Sequence, residues 1–163
     1  PPRSTLFPYT TLFRSVKGDY EKALEYHKKS LSIQLNTLVE NHADVAASYN
    51  YIGAVYKAKG DNEKALEYFN KSLSIRLNTL GGNHPDMAVS YNNIGVVYRS
   101  KGDYEKALEY YNKSLAIRLH ALGESHPDVA QSYNNIVDVH QAKGDSEKAN
   151  EYHTKLLAIK LKS

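Results

Sequence analysis

A chain of 163 residues with 41% apolar content and no cysteine has the length of one domain, about 100–200 residues, and an ordinary globular composition. The missing cysteines exclude a disulfide framework, a thiolate metal site and a cysteine nucleophile, and they fit a cytoplasmic protein. No apolar run approaches the roughly 18–20 residues that span a bilayer. The net charge of +3 comes from interleaved Lys and Glu, as in EKALEY, not from the segregated basic face of a nucleic-acid binder.

In chain order, residues 1–15, PPRSTLFPYTTLFRS, share nothing with the rest of the chain. From residue 16 the chain is periodic. KGDYEKALEY begins at Lys17, KGDNEKALEY at Lys59, KGDYEKALEY again at Lys101 and KGDSEKANEY at Lys143, a step of 42 residues each time. NHAD at Asn41, NHPD at Asn83 and SHPD at Ser125 keep that step, as do SYNYIG at Ser48, SYNNIG at Ser90 and SYNNIV at Ser132. A period between 20 and 50 residues marks a solenoid or array. On this beat residues 16–40 are the second helix of a truncated repeat, 41–82 and 83–124 are helical hairpins, and 125–163 are a degenerate terminal hairpin.

The central copy shows why each period reads as two helices. Pro85 and Asp86 suit a first helical turn, one by its fixed backbone and the other by its charge at the positive end of the helix dipole. Met87, Ala88, Tyr91, Ile94, Val97 and Tyr98 follow at three- and four-residue steps, which buries one face. Gly102 ends that helix, and Asp103 caps the next, with Glu105 in its first turn. Ala107, Leu108, Tyr111, Leu115, Ile117 and Leu119 carry the second stripe, which Gly123 stops. No period-2 stretch argues for a strand.

Gly53 and Gly95 fall inside first helices, where glycine costs about 1 kcal/mol relative to alanine. Their recurrence predicts close helix packing, with Ala65 and Ala107 at the matching place on the second helix and Tyr56 and Tyr98 large beside them. The last copy departs: Val137 replaces the glycine, His140 the tyrosine and Asn150 the leucine, while Leu156, Leu157, Ile159 and Leu161 stay apolar. Atypical terminal repeats act as caps, whereas the retained apolar residues fit a chain cut at this point.

Tyr91, Ile94, Gly95, Tyr98, Gly102, Asp103, Tyr104, Ala107 and Tyr111 form a pattern that resembles the tetratricopeptide repeat. The 42-residue period and the His-Pro-Asp loop are similar to the longer repeats of kinesin light chains. The resemblance covers residues 16–163 and implies an all-α fold, a right-handed solenoid of antiparallel helical hairpins. It implies that first helices line a concave groove and second helices form the convex back, and that the activity is protein binding, not catalysis. Kinesin light chains favour Asn-Leu-Ala where this chain has Asn93-Ile94-Gly95, so architecture and binding mode are carried over and motor association is not. Residues 5–15, TLFPYTTLFRS, resemble the translation of a common short-read sequencing adapter, and segment 1–15 is expected to be non-native. Its apolar side chains predict a short helix over 8–15 laid on the open face of the next helix.

The resemblance to the tetratricopeptide pattern implies two outward positions after each first tyrosine: Asn50 and Tyr51, Asn92 and Asn93, Asn134 and Asn135. Asparagine is a mediocre helix former, yet its amide both donates and accepts, so an Asn ladder at repeat spacing can hold a peptide backbone. One and two turns on stand Ala54 and Lys57, Val96 and Arg99, Asp138 and Gln141. The expected groove is basic at Lys57 and Arg99, apolar at Ala54 and Val96, and acidic at Asp138, which favours a protein or peptide ligand with acidic and apolar residues. Arg99 can fork onto a carboxylate as lysine cannot.

His42, His84 and His126 share a loop motif with an aspartate two residues on, but they stand one repeat apart and read as residues at helix starts, not as a metal site. No catalytic constellation or phosphate-binding loop is visible, and no cofactor, nucleic acid or membrane partner is expected. The function read from the sequence is a scaffold that binds an extended peptide segment. The alternative is a structural spacer or an array that associates end to end.

Overall fold

The computed structural model describes residues 19–38 and 42–161, which form helices and no strand. In chain order these are α1 (Tyr20–Thr37), α2 (Ala43–Ala58), α3 (Asn62–Leu80), α4 (Pro85–Ser100), α5 (Tyr104–Leu122), α6 (Pro127–Ala142) and α7 (Ser146–Lys160). The expectations for residues 1–15, the helix over 8–15 among them, lie outside the described residues.

Three residues make each tight turn inside a hairpin. In Lys101-Gly102-Asp103 the lysine ends α4, and Gly102 takes φ 77°, a left-handed conformation that glycine adopts without a Cβ penalty. The Asp103 N–H then donates to the Tyr98 carbonyl at 3.0 Å, closing the end of α4 as a Schellman turn. The Asp103 carboxylate accepts the Lys106 backbone N–H at 3.2 Å and starts α5. The Asp61 and Asp145 carboxylates cap α3 and α7 in the same way. The longer loops end on histidine. Nδ1 of His42, His84 and His126 accepts the backbone N–H of Asp44, Asp86 and Asp128 at 3.2, 3.2 and 3.1 Å. The imidazole therefore serves as the N-cap of every first helix.

Each helix packs chiefly on its chain neighbours, with α2 also touching α4, as in a quasi-one-dimensional stack. The interior glycines are explained by what lies over them. A Cβ at Gly53 would stand 2.7 Å from Phe69 Cδ1, and one at Gly95 2.8 Å from Tyr111 Cδ1. The large side chain facing the glycine is thus Phe69 or Tyr111, not Tyr56 or Tyr98 as the sequence pattern suggested. Tyr56 and Tyr98 instead stack on Tyr68 and Tyr110, ring centroids 5.5 Å apart in both cases. The terminal repeat is consistent with this rule. Val137 is buried where glycine would sit, and His153, in the register of Tyr111, is exposed.

Successive hairpins are fastened by polar bonds through the apolar stack. Arg118 is buried, and its Nη1 donates to the Asp128 carbonyl and to Ser132 Oγ, both at 2.8 Å. Arg76 holds the Asp86 carbonyl and Ser90 Oγ in the same manner, each at 2.9 Å. Burial lowers the pKa of both guanidiniums from the ordinary value. Along the turn edge, Lys59, Lys101 and Lys143 pair with Glu21, Glu63 and Glu105 of the preceding second helix. Those glutamates are 79% exposed, so each pair adds little stability in salt. At the far end Leu157 is 46% exposed, although Leu115, one repeat earlier, is 8% exposed under α6.

Candidate functional site

The first helices α2, α4 and α6 stand side by side and are bridged by their own side chains. Asn93 Nδ2 donates to Asn50 Oδ1 at 2.8 Å, and Asn135 Nδ2 donates to Asn92 Oδ1 at 2.7 Å. The second asparagine of each pair therefore serves the stack, reaching back to the first asparagine of the preceding repeat. Asn50 and Asn92 keep their NH₂ groups, and an amide oxygen has a second lone pair. No hydrogen bond uses either among the described residues. Asn134 is exposed and forms no such bridge, and the bridging Asn135 is half-buried. Tyr51 replaces the second asparagine in α2 and stacks on His27, centroids 5.5 Å apart.

The charged positions do not behave as independent groups. Arg99 Nη1 donates to Asp138 Oδ2 at 2.6 Å, joining α4 to α6. The structure thus removes Arg99 from the expected basic patch and places its positive charge against the acidic one. Lys57 is exposed and has no ion pair among the described residues. Ala54 and Val96 are half-buried in the row, and Gln141 is exposed. Tyr111 lies fully buried within reach of the charged pair. Burial pushes its hydroxyl up to about 12, with the Arg99 charge opposing and the Asp138 charge adding to the shift. That hydroxyl makes no hydrogen bond among the described residues.

Sequence periodicity does not reveal these bridges, because they join positions offset from the period. The asparagines are 43 residues apart and the Arg99–Asp138 pair 39, one residue more and three fewer than the repeat. The Arg76 and Arg118 bonds are legible only across neighbouring helices. Their signal was present in the Ser48, Ser90 and Ser132 series facing Gln34, Arg76 and Arg118.

Away from this row, a cleft of about 210 Å³ is lined by Glu124, Ser125, Tyr133, Lys155, Ala158 and Ile159. It is smaller than the roughly 300–1,000 Å³ typical of small-molecule sites. Among the described residues no group of three or more His, Asp or Glu side chains is placed to hold a metal ion, and no helix is long and apolar enough to cross a membrane.

Antiparallel hairpins stacked at a fixed period, with a bridged row of first helices, define a helical-repeat scaffold. The chain belongs to the tetratricopeptide repeat family, whose model matches residues 12–78, 44–120 and 86–162. No curated protein matches it. Among solved structures it is similar to BtubC (BKLC) from P. vanneervenii, at 27% identity and TM-score 0.80, over 88% of this chain and 57% of that one. It is similar also to a Podosopora anserina protein described as a putative kinesin light chain with nearly identical TPR-like repeats. There the identity is 27% and the TM-score 0.72, over 89% of this chain and 69% of that one. A third likeness, to aspartyl phosphate phosphatase F from Bacillus subtilis, has 24% identity and TM-score 0.74 over 85% of this chain and 35% of that one, and it shows the fold alone. The chain thus spans a little over half the length of BtubC. Family and fold are those of a protein–protein interaction scaffold with kinesin-light-chain-like repeats.

Proposed function

We propose that the row formed by α2, α4 and α6 binds an extended peptide segment of a partner protein, in the cytoplasm and without catalysis. The observation that carries this reading is the pair of amide bridges, Asn93 to Asn50 and Asn135 to Asn92. Each bridge fixes the first asparagine of a rung and leaves its NH₂ and one oxygen lone pair for a ligand. Packed helices stand about 8–10 Å apart, and an extended chain rises about 3.3 Å per residue. One rung therefore meets roughly every third residue of a bound segment, at backbone groups that any sequence supplies. Side chains near Ala54, Val96 and Lys57 then select for apolar and acidic residues, while Arg99 and Asp138 are paired with each other.

The test is selection from a peptide library, followed by fluorescence anisotropy on the selected peptide with Asn92→Ala/Asn134→Ala. Losing two amide contacts at about 0.5–1.5 kcal/mol each weakens binding roughly 5- to 150-fold while helicity holds. Selection of no peptide, or unchanged affinity in the double variant, contradicts the reading.

A second reading, an array that associates through its ends, is favoured by Leu157 and Leu161 at the end of the chain, which are 46% and 88% exposed. It requires the solution mass to rise with concentration and to stop rising in Leu157→Lys.

A further inference from the structure

The two junctions of the first-helix row differ at three matched positions. Where α4 meets α6, the positions hold Arg99, Asp138 and, beneath, Tyr111. One period earlier, where α2 meets α4, the same places hold Lys57, Val96 and Phe69. At the later junction the cation is already bonded to a carboxylate of its own chain, at 2.6 Å. At the earlier junction an apolar side chain stands in place of that carboxylate, and the Lys57 ammonium has no ion pair among the described residues. The rings beneath differ in the same sense. Phe69 offers no polar atom, whereas the Tyr111 hydroxyl is buried in the field of both Arg99 and Asp138.

We propose that the row carries one open and one self-occupied carboxylate subsite: Lys57 receives an acidic side chain of the bound segment, and Asp138 holds Arg99 as an internal competitor. The proposal rests on the peptide-binding reading above and assigns its charge selectivity to one end. A carboxylate arriving at Arg99 meets a guanidinium already bonded through Nη1 to Asp138, so it either exchanges one ion pair for another or takes the remaining N–H groups against the repulsion of Asp138. At Lys57 nothing is displaced, and Ala54 and Val96 offer apolar contact beside the charge. The bound segment is thereby oriented, with its acidic part over α2 and its uncharged part over α6.

Two fluorescein-labelled nonapeptides serve as probes on the full chain, one alternating Asp and Leu and the other with Asn in place of each Asp. Exposed ion pairs are worth little, so Lys57→Gln weakens the acidic probe about two- to fivefold and leaves the neutral probe unchanged. Arg99→Gln alone changes acidic-probe affinity by less than about twofold. Asp138→Asn keeps the side-chain shape, frees Arg99 and tightens the acidic probe about two- to fivefold, and Arg99→Gln abolishes that gain in the double variant. Lys71→Gln on α3 makes the same charge change away from the row and leaves both probes unaffected. If the probes bind through Asn92 and Asn134 but Lys57→Gln has no effect, or Asp138→Asn brings no gain, the two-subsite proposal is overturned and the peptide-binding reading stands. If neither probe binds the parent chain or Asp138→Asn, both are overturned.

Discussion

Replacing Gly95 by alanine puts one methyl group against the Tyr111 ring. The added carbon would stand 2.8 Å from Cδ1 and Cε1 and 3.3 Å from Cγ, against an ordinary carbon–carbon contact of about 3.5–4.0 Å. The ring must therefore retreat by roughly 0.7 Å to restore that contact. Tyr111 is fully buried in a cluster with Ala107, Leu115, Val129, Ile136 and Val139, so the retreat displaces packed neighbours. Overpacking of this kind costs about 1–3 kcal/mol, while alanine gains about 1 kcal/mol over glycine in helix propensity. The balance is a loss of about 1 kcal/mol for Gly95→Ala and about 2–3 kcal/mol for Gly95→Val, which adds more volume and gains less propensity. Urea unfolding followed by far-UV circular dichroism reads this as lowered midpoints. A raised midpoint for Gly95→Ala refutes the claim that the ring dictates the glycine.

Three further outcomes are expected from the same structure. Arg118→Ala leaves the Asp128 carbonyl and Ser132 Oγ without their arginine donor; the expected cost is about 2–3 kcal/mol, with a shallower urea transition as the last hairpin uncouples. His84→Ala removes the cap that accepts the Asp86 N–H; it should cost about 1 kcal/mol, seen as faster hydrogen exchange in the first turn of α4. The Asp61, Asp103 and Asp145 carboxyls are held below their ordinary pKa of 3.8, first by the backbone N–H groups of Lys64, Lys106 and Lys148. A carboxyl lowered on folding stabilises fully above its unfolded pKa and loses that contribution as pH falls through the folded value. Urea midpoints should therefore fall on acidification below pH 3.8, and Asp103→Asn, which keeps a capping oxygen, should flatten that limb. A slope unchanged in Asp103→Asn assigns the acid limb elsewhere.

Sequence periodicity carried most of the fold because each signal was local. Gly102 and Asp103 mark a helix end and a helix start within two residues, and Met87 to Tyr98 define a buried face by spacing alone. The partner of Gly95 was not legible in the same way. Ala107 and Tyr111 stand one turn apart on α5, and only the helix rotation decides which of them covers the glycine. The sequence places the histidines at helix starts but does not mark them as caps, since imidazole is outside the usual set of capping side chains. At the candidate site, residue types were readable and pairings were not. Asn93 and Arg99 look like ligand contacts when a repeat is read alone. They become stack contacts once the next repeat stands at its actual offset, because a helix face is shared between the groove and its neighbour. Lys57 has no matching internal carboxylate because Val96 holds the position that Asp138 occupies one repeat on.

The most direct test of the peptide-binding claim is an ¹⁵N–¹H spectrum of the side-chain amides as a selected library peptide is added. The account requires the Asn50, Asn92 and Asn134 NH₂ signals to shift together and saturate with the binding curve, while backbone amides of α3 and α5, outside the first-helix row, stay in place. Saturable binding that moves the α7 signals around Leu157 and leaves those three asparagines unmoved would contradict it.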